Sequence, residues 1–191
     1  MKRIALFASG AGSNVENIIR YFLNNRELEF PVVISNRQDA PVHERVKKYR
    51  IPSYFFKKND FENGEVLKLL REKAIDFIVL AGFLLRVPDN LLKAYPDRII
   101  NIHPALLPKF GGKGMYGSHV HEAVVASGEK ETGITIHYVN ENYDEGRIIF
   151  QAKCPVFTGD SPEDVAAKVH ALEYEYFPKV IGEVALGIKY G

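Results

Sequence analysis

The sequence predicts a doubly wound α/β fold: a mostly parallel sheet with helices on both faces and antiparallel strands added near its C-terminal end. Three observations predict it. A short apolar run, Lys2–Ala8, leads into a glycine-rich turn and then a helical period. Apolar runs and helical periods go on alternating through roughly the first hundred residues, the pattern of βαβ units with right-handed crossovers. Lastly, Gly133–Val139 and Arg147–Cys154 read as strands with only the polar turn Asn140–Gly146 between them, which suits an antiparallel pair.

The elements follow in order. After the turn Ser9–Asn14, the residues Val15, Ile18, Ile19, Phe22 and Leu23 recur at helical spacing. Phe30–Ser35 is the second strand, and Pro41–Tyr49 forms a helix with Val42, Val46 and Tyr49 on one face. Ser53–Phe56 is a short strand, and Phe61–Lys73 reads as one helix with the stripe Val66, Leu69 and Leu70. Asp76–Ala81 is a strand apolar enough to be buried on both faces. Leu91–Ala94 is a helical turn and Arg98–Ile102 the next strand. Phe110–Ser118 is a glycine-rich loop carrying Lys113, and Val120–Ser127 is helical. Ser161 followed by Pro162, Glu163 and Asp164 is a helix start with cap, first-turn proline and first-turn acids. A helix of about two dozen residues follows, with a bend expected near Pro178. No repeat, linker or low-complexity run interrupts the chain, so residues 1–191 read as a single domain.

Composition narrows the function. Among 191 residues, 25 are Lys or Arg and 24 Asp or Glu, a net charge of +1, which argues against a nucleic-acid binder. Apolar residues at 46% and charged residues at 26% suit a folded core rather than disorder. The one cysteine, Cys154, excludes an internal disulfide framework and reads as a small buried apolar residue. The apolar run after Arg3 is shorter than the roughly 7–15 residues of a signal peptide core. No run reaches the roughly 18 apolar residues of a membrane span. A cytoplasmic protein acting on small molecules is expected.

The turn Gly10-Ala11-Gly12-Ser13-Asn14 opens a helix after a strand. Unpaired N–H groups and the helix dipole there suit a phosphate, with Ser13 and Asn14 as added donors. The plain alternative is a tight turn with Ser13 as helix cap. Val15 stands where a dinucleotide fingerprint needs its third glycine, and Ser35-Asn36-Arg37 offers no acid for a ribose hydroxyl. A phosphate monoester fits better than NAD or ATP.

Asn101-Ile102-His103-Pro104 closes a strand. Asn101 and His103 share a face there, at the carboxyl end where open α/β sheets bind ligands. An amide donor with a titratable imidazole suits acyl transfer. A strand-end Asn beside a core His is the equally weighted alternative. The turn Glu141–Gly146 holds three acids, Glu141, Asp144 and Glu145. A carboxylate beside His103 would raise its pKa and favour the proton-donating form, or the turn is simply solvated. His119 and His121 would point to different sides of a helix, so no metal is expected. His137 faces the less apolar side of its strand and could line the site or serve structure. Glu173, in the long helix, reads as a surface residue.

Four runs, taken together, resemble the folate-dependent phosphoribosylglycinamide formyltransferases: Ala8–Asn14, Val79–Phe83, Asn101–Pro108, and Gly133–Val139 continuing through Tyr143–Gly146. The match runs in order from residue 2 to about 180. The resemblance implies a Rossmann-like formyltransferase fold and the co-substrate 10-formyltetrahydrofolate, with no metal. It implies catalytic roles for Asn101, His103 and Asp144, and phosphate binding at Gly12, Ser13 and Asn14. It places His170 and Glu173 at the ribonucleotide, with Glu173 moved from surface to site. The segments Leu84, Leu85, Arg86, Val87 and Asn140, Glu141, Asn142, Tyr143, Asp144, together with Asn101, match those that hold the folate. Three departures stand out. Leu85 occupies a place usually held by Arg, with an arginine one residue later at Arg86. No arginine lies near Asn63–Gly64, and the Phe110–Ser118 loop is longer than the family pattern.

The implied reaction moves a formyl group to the amine of phosphoribosylglycinamide. Asn101 and a protonated His103 would stabilise the oxyanion, and Asp144 would keep His103 charged. Monomer and homodimer are both open, with no nucleic-acid or membrane partner. The rivals are formyltetrahydrofolate hydrolase, a tRNA formyltransferase-like enzyme, and a non-catalytic nucleotide-binding protein. The tRNA enzyme has a further C-terminal domain and the hydrolase a further N-terminal one, and a sensor needs no such triad.

Overall fold

A computed structural model describes residues 1–187 of the chain. Its elements are β1 (Lys2–Phe7), α1 (Ser13–Tyr21), β2 (Leu28–Ser35), α2 (Val42–Lys47), β3 (Ser53–Phe55), α3 (Lys58–Glu62) and α4 (Glu65–Glu72). There follow β4 (Phe77–Leu80), α5 (Asp89–Ala94), β5 (Ile99–His103), α6 (Ser118–Ala126), β6 (Glu131–Tyr138), β7 (Ile148–Pro155) and α7 (Pro162–Leu186). The strands form a 7-stranded sheet in the order β3-β2-β1-β4-β5-β6-β7. Pairs from β3 to β5 are parallel, while β5–β6 and β6–β7 are antiparallel.

The burial of β1 explains its near-continuous apolar run. Ile4 and Leu6 enter the layer covered by α1, α2, α6 and α7, whereas Ala5 and Phe7 enter the layer covered by α3, α4 and α5. Both faces of the central strands are therefore dry, as parallel sheets require. Each fully buried Ile or Leu contributes about 1.5–3 kcal/mol relative to exposure.

Two local expectations change. The helix expected over 61–73 is two helices, because Gly64 at φ +95° breaks the turn and opens α4. Ser13 is not the cap of α1. Gly12, at φ 72°, takes that place, and no side chain caps the helix. The start of α7 is as expected: Ser161 caps it, Asp164 N–H donates to Ser161 Oγ at 3.1 Å, and Ser161 N–H donates back to Asp164 at 2.9 Å. The helix continues through Pro178, which is buried inside it. Among the described residues no helix is long and apolar enough to cross a membrane.

Candidate active site

The carboxyl ends of β1, β4 and β5 form one rim of the sheet, and the candidate residues gather along it. At the β1 end the chain is tied to its neighbours by main-chain bonds. Ala8 N–H reaches the Ile34 carbonyl at 3.0 Å and Ser9 N–H the Gly82 carbonyl at 2.9 Å. Leu84 N–H donates to Ser9 Oγ at 2.9 Å, which draws the segment after β4 against the glycine turn. The first N–H groups of α1 have no helical partner, because no carbonyl precedes them by a full turn.

Asn14 lies beside those groups. Its amide donates to Glu173 Oε2 at 2.9 Å, across 159 residues of chain. Its Oδ1 is buried and has no hydrogen-bond partner among the described residues. Glu173 is 5% exposed, because α7 packs on α1 and β6. The surface position read from its helix is therefore wrong. The ring Nδ1 of His170 lies 2.9 Å from Glu173 Oε2, and that bond raises the His170 pKa. Asn14, His170 and Glu173 thus form one hydrogen-bonded group at the mouth of α1.

The second group gathers at β5 and β6. Antiparallel pairing sets Asn101 directly opposite His137 and His103 opposite Thr135. His137 Nδ1 lies 2.9 Å from the Tyr138 carbonyl, and its Nε2 lies 3.1 Å from Asn101 Nδ2. His137, undecided from sequence, thereby orients the Asn101 amide. The buried Thr135 hydroxyl fixes the loop after His103. It donates to the Ala105 carbonyl at 2.7 Å and accepts from Leu107 N–H at 3.0 Å.

Asp144 completes the group. Its carboxylate lies 3.5 Å from His103 Nδ1 and 3.6 Å from His137 Nε2, and it accepts from Gly112 N–H at 3.0 Å. Burial pushes this carboxyl up, but the His137 side chain, the His103 ring and the Gly112 N–H together hold it below the usual range. On its other side, His103 Nε2–H donates to the Phe110 carbonyl at 2.7 Å. Phe110–Gly112 therefore touches both members of the pair, a role that nothing in the loop's composition signals.

The charge on His103 corrects an expectation. Asp144 does push its pKa upward, as does the Phe110 carbonyl, but burial pulls it down and wins. The ring is 3% exposed. His103 therefore has a pKa below its ordinary value of about 6.5 rather than above it. Its two nitrogens face a carboxylate and a carbonyl, so a proton gained during reaction finds acceptors on both sides.

The two segments matched to folate binding meet through Arg86, whose Nε donates to the Glu141 carbonyl at 2.7 Å. Asn140 Oδ1 accepts from Asn142 N–H at 2.9 Å and shapes the turn. Val87 is buried and Leu85 packs on the α3–α5 layer. Leu84 is 44% and Tyr143 40% exposed. Lys113, in the long loop, is exposed. On α6, His119 is exposed and His121 buried, so the two rings lie on different sides. Cys154 is half-buried, and burial raises its pKa.

An amide donor, a buried imidazole and a carboxylate thus stand near the strand ends, on the same rim as the start of α1. A model described as formyl transferase matches residues 2–181. The chain belongs to the formyl transferase family. It is 36% identical over 190 residues to the phosphoribosylglycinamide formyltransferase of Bacillus subtilis, covering 96% of this chain and 95% of that protein. It is 39% identical to the chloroplastic enzyme of that name from Arabidopsis thaliana, again over 96% of this chain but only 65% of the plant protein's length. Among crystal structures, phosphoribosylglycinamide formyltransferase from Bacillus halodurans superposes with a TM-score of 0.87 at 38% identity, over 96% of this chain and 95% of that one. Glycinamide ribonucleotide transformylase 1 from Symbiobacterium toebii gives 0.89 at 33% identity, over 98% and 89% of the two chains. The formyl transferase fold is thus shared along nearly the whole chain.

Proposed function

We propose that this formyl transferase carries the formyl group of 10-formyltetrahydrofolate to the amine of 5′-phosphoribosylglycinamide, giving formylglycinamide ribonucleotide in purine synthesis. The observation that carries this reading is the junction of the Asn101–His103–Asp144 group with the Asn14–His170–Glu173 group along one sheet rim. The first suits acyl transfer, and the second suits a small phosphorylated amine. The names of its relatives support the same substrates.

In this reading the first N–H groups of α1, with Gly12, Ser13 and Asn14, hold the 5′-phosphate. Glu173, fixed by Asn14 and His170, faces the cationic or hydroxylated part of the ribonucleotide. The main chain of 84–87 and 140–144 grips the folate, between the side chains of Leu84 and Tyr143. Asn101, oriented by His137, donates to the oxyanion that develops at the formyl carbon. His103 and Asp144 act as one acid–base pair that takes the proton the attacking amine must lose and returns it to the leaving nitrogen. Asp144 stabilises the imidazolium while it exists. No nucleophilic side chain is needed. Holding both substrates on one rim supplies proximity worth up to about 7–11 kcal/mol. We place the enzyme in the cytoplasm, as a monomer or homodimer. A single half-buried cysteine, with no disulfide to keep, suits a reducing compartment.

A spectrophotometric assay with 10-formyltetrahydrofolate, with and without the ribonucleotide, tests the reading. Formyl transfer that requires the ribonucleotide is expected. Loss of the formyl group without the ribonucleotide would make the protein a hydrolase and overturn the proposal.

A further inference from the structure

The glycine-rich turn is gripped from one side by α2. Val42 N–H, at the start of α2, donates to the Gly10 carbonyl at 3.1 Å. The Val42 side chain lies under Gly12, where a Cβ would come within 2.3 Å of Val42 Cγ2. One turn later, Arg45 Nε donates to the Ala11 carbonyl at 2.8 Å. Three successive residues of the turn are therefore tied to one helix. Arg45 is fixed in its turn by α1, since its Nη1 bonds Glu16 Oε2 at 2.6 Å. Glu16 also accepts from Tyr49 Oη at 2.9 Å and pairs with Lys48. Lys48 first, then Arg45, hold the Glu16 carboxyl down to about 2, so it is ionised throughout the working range.

A planar trans peptide points its C=O and its N–H in opposite directions. Drawing the Ala11 carbonyl toward Arg45 therefore turns the Gly12 N–H away from α2, to the face left for a ligand. The Val42 bond does the same for the Ala11 N–H. Two cations sharing one carboxylate also leave one positive charge in excess beside the turn, which draws an anion toward it.

We propose that Arg45 is a positioning residue of the phosphate-binding turn, holding the Ala11–Gly12 peptide with its N–H toward the ligand phosphate, and that Glu16 keeps Arg45 in that place. The inference rests on reading Gly12–Asn14 as the phosphate site. It assigns work to two charged residues that touch neither substrate.

Calorimetric titration of the full chain with ribose 5-phosphate tests it without needing the reaction. Arg45→Met should weaken this ligand roughly ten-fold, the scale of one lost charge-assisted hydrogen bond. Binding of a dideaza analogue of 10-formyltetrahydrofolate should be unchanged. Arg45→Lys keeps the charge but cannot span Ala11 and Glu16 together, so it should stay as weak as Arg45→Met. Glu16→Gln, which is nearly isosteric, should weaken ribose 5-phosphate by a smaller factor and carries the test if Arg45→Met does not fold. Unchanged affinity in Arg45→Met, full recovery in Arg45→Lys, or equal loss of both ligands would overturn the inference. Wild-type protein that binds ribose 5-phosphate yet transfers no formyl group would overturn the proposed function and leave the inference standing.

Discussion

At the β1 end of the rim, the turn 10–14 is one contiguous stretch, braced from behind by Arg45 and Val42 of α2. At the β5–β6 end, Asn101, His103, His137 and Asp144 come from separate strands and a turn, and the loop 110–112 touches the pair from a further side. The first region binds through main chain that a local fold prepares. The second acts through side chains whose spacing depends on strand register. Binding and chemistry should therefore separate under mutation, and the two ends should fail in different kinetic parameters.

The largest effect is expected at the pair itself. Asp144→Asn should lower kcat by about 10²–10⁴, the usual share of acid–base assistance. Removing the carboxylate also removes an upward push on His103, so its imidazole NMR titration should move still further to acid. A His103 titration that does not move would show the two groups to be uncoupled. Next is Gly111→Ala. A Cβ there would lie 2.5 Å from Leu107 Cδ2 and 3.3 Å from Asp144 Cβ, displacing the carboxylate. A roughly ten-fold loss of kcat is expected, in line with overpacking at about 1–3 kcal/mol. Ribose 5-phosphate affinity should be kept, and its loss would break the separation. At the other end, Glu173→Gln should raise KM for the ribonucleotide about ten-fold with a smaller change in kcat, as for one lost charged hydrogen bond.

The smallest effect is on stability against pH. His103, His121 and Asp144 all bind their protons more weakly in the fold than in the unfolded chain. The unfolded chain therefore takes up more protons as pH falls, and stability should drop from about pH 6.5 downward. His170 acts in the opposite sense: its raised pKa adds stability below about 6.5 that is lost as pH rises through the folded value. Thermal unfolding across this range checks the sign, and Asp144→Asn together with His103→Asn should flatten the acid side.

Much of the architecture was legible because it is local. Alternating apolar runs and helical periods mark the parallel half, and two strands separated by the polar turn 140–146 mark the antiparallel end. The split between α3 and α4 is not legible in the sequence, because the apolar stripe runs across Gly64 while the positive φ of that residue breaks the helix. Glu173 reads as solvated until α7 is known to lie on α1 and β6. His137 joins the site only through its register against Asn101, and register is not written in either strand alone. The lowered pKa of His103 follows from burial, which a neighbouring acid in the sequence does not reveal. Arg45 carried no signal, because it acts on a carbonyl.

The most direct test of this division of labour is the kinetics of His103→Ala, measured with ribonucleotide and 10-formyltetrahydrofolate alongside the wild type. The predicted result is a fall in kcat by about 10²–10⁴, with ribonucleotide KM and ribose 5-phosphate affinity unchanged. Near-normal turnover, or an equal loss of binding and rate, would contradict it.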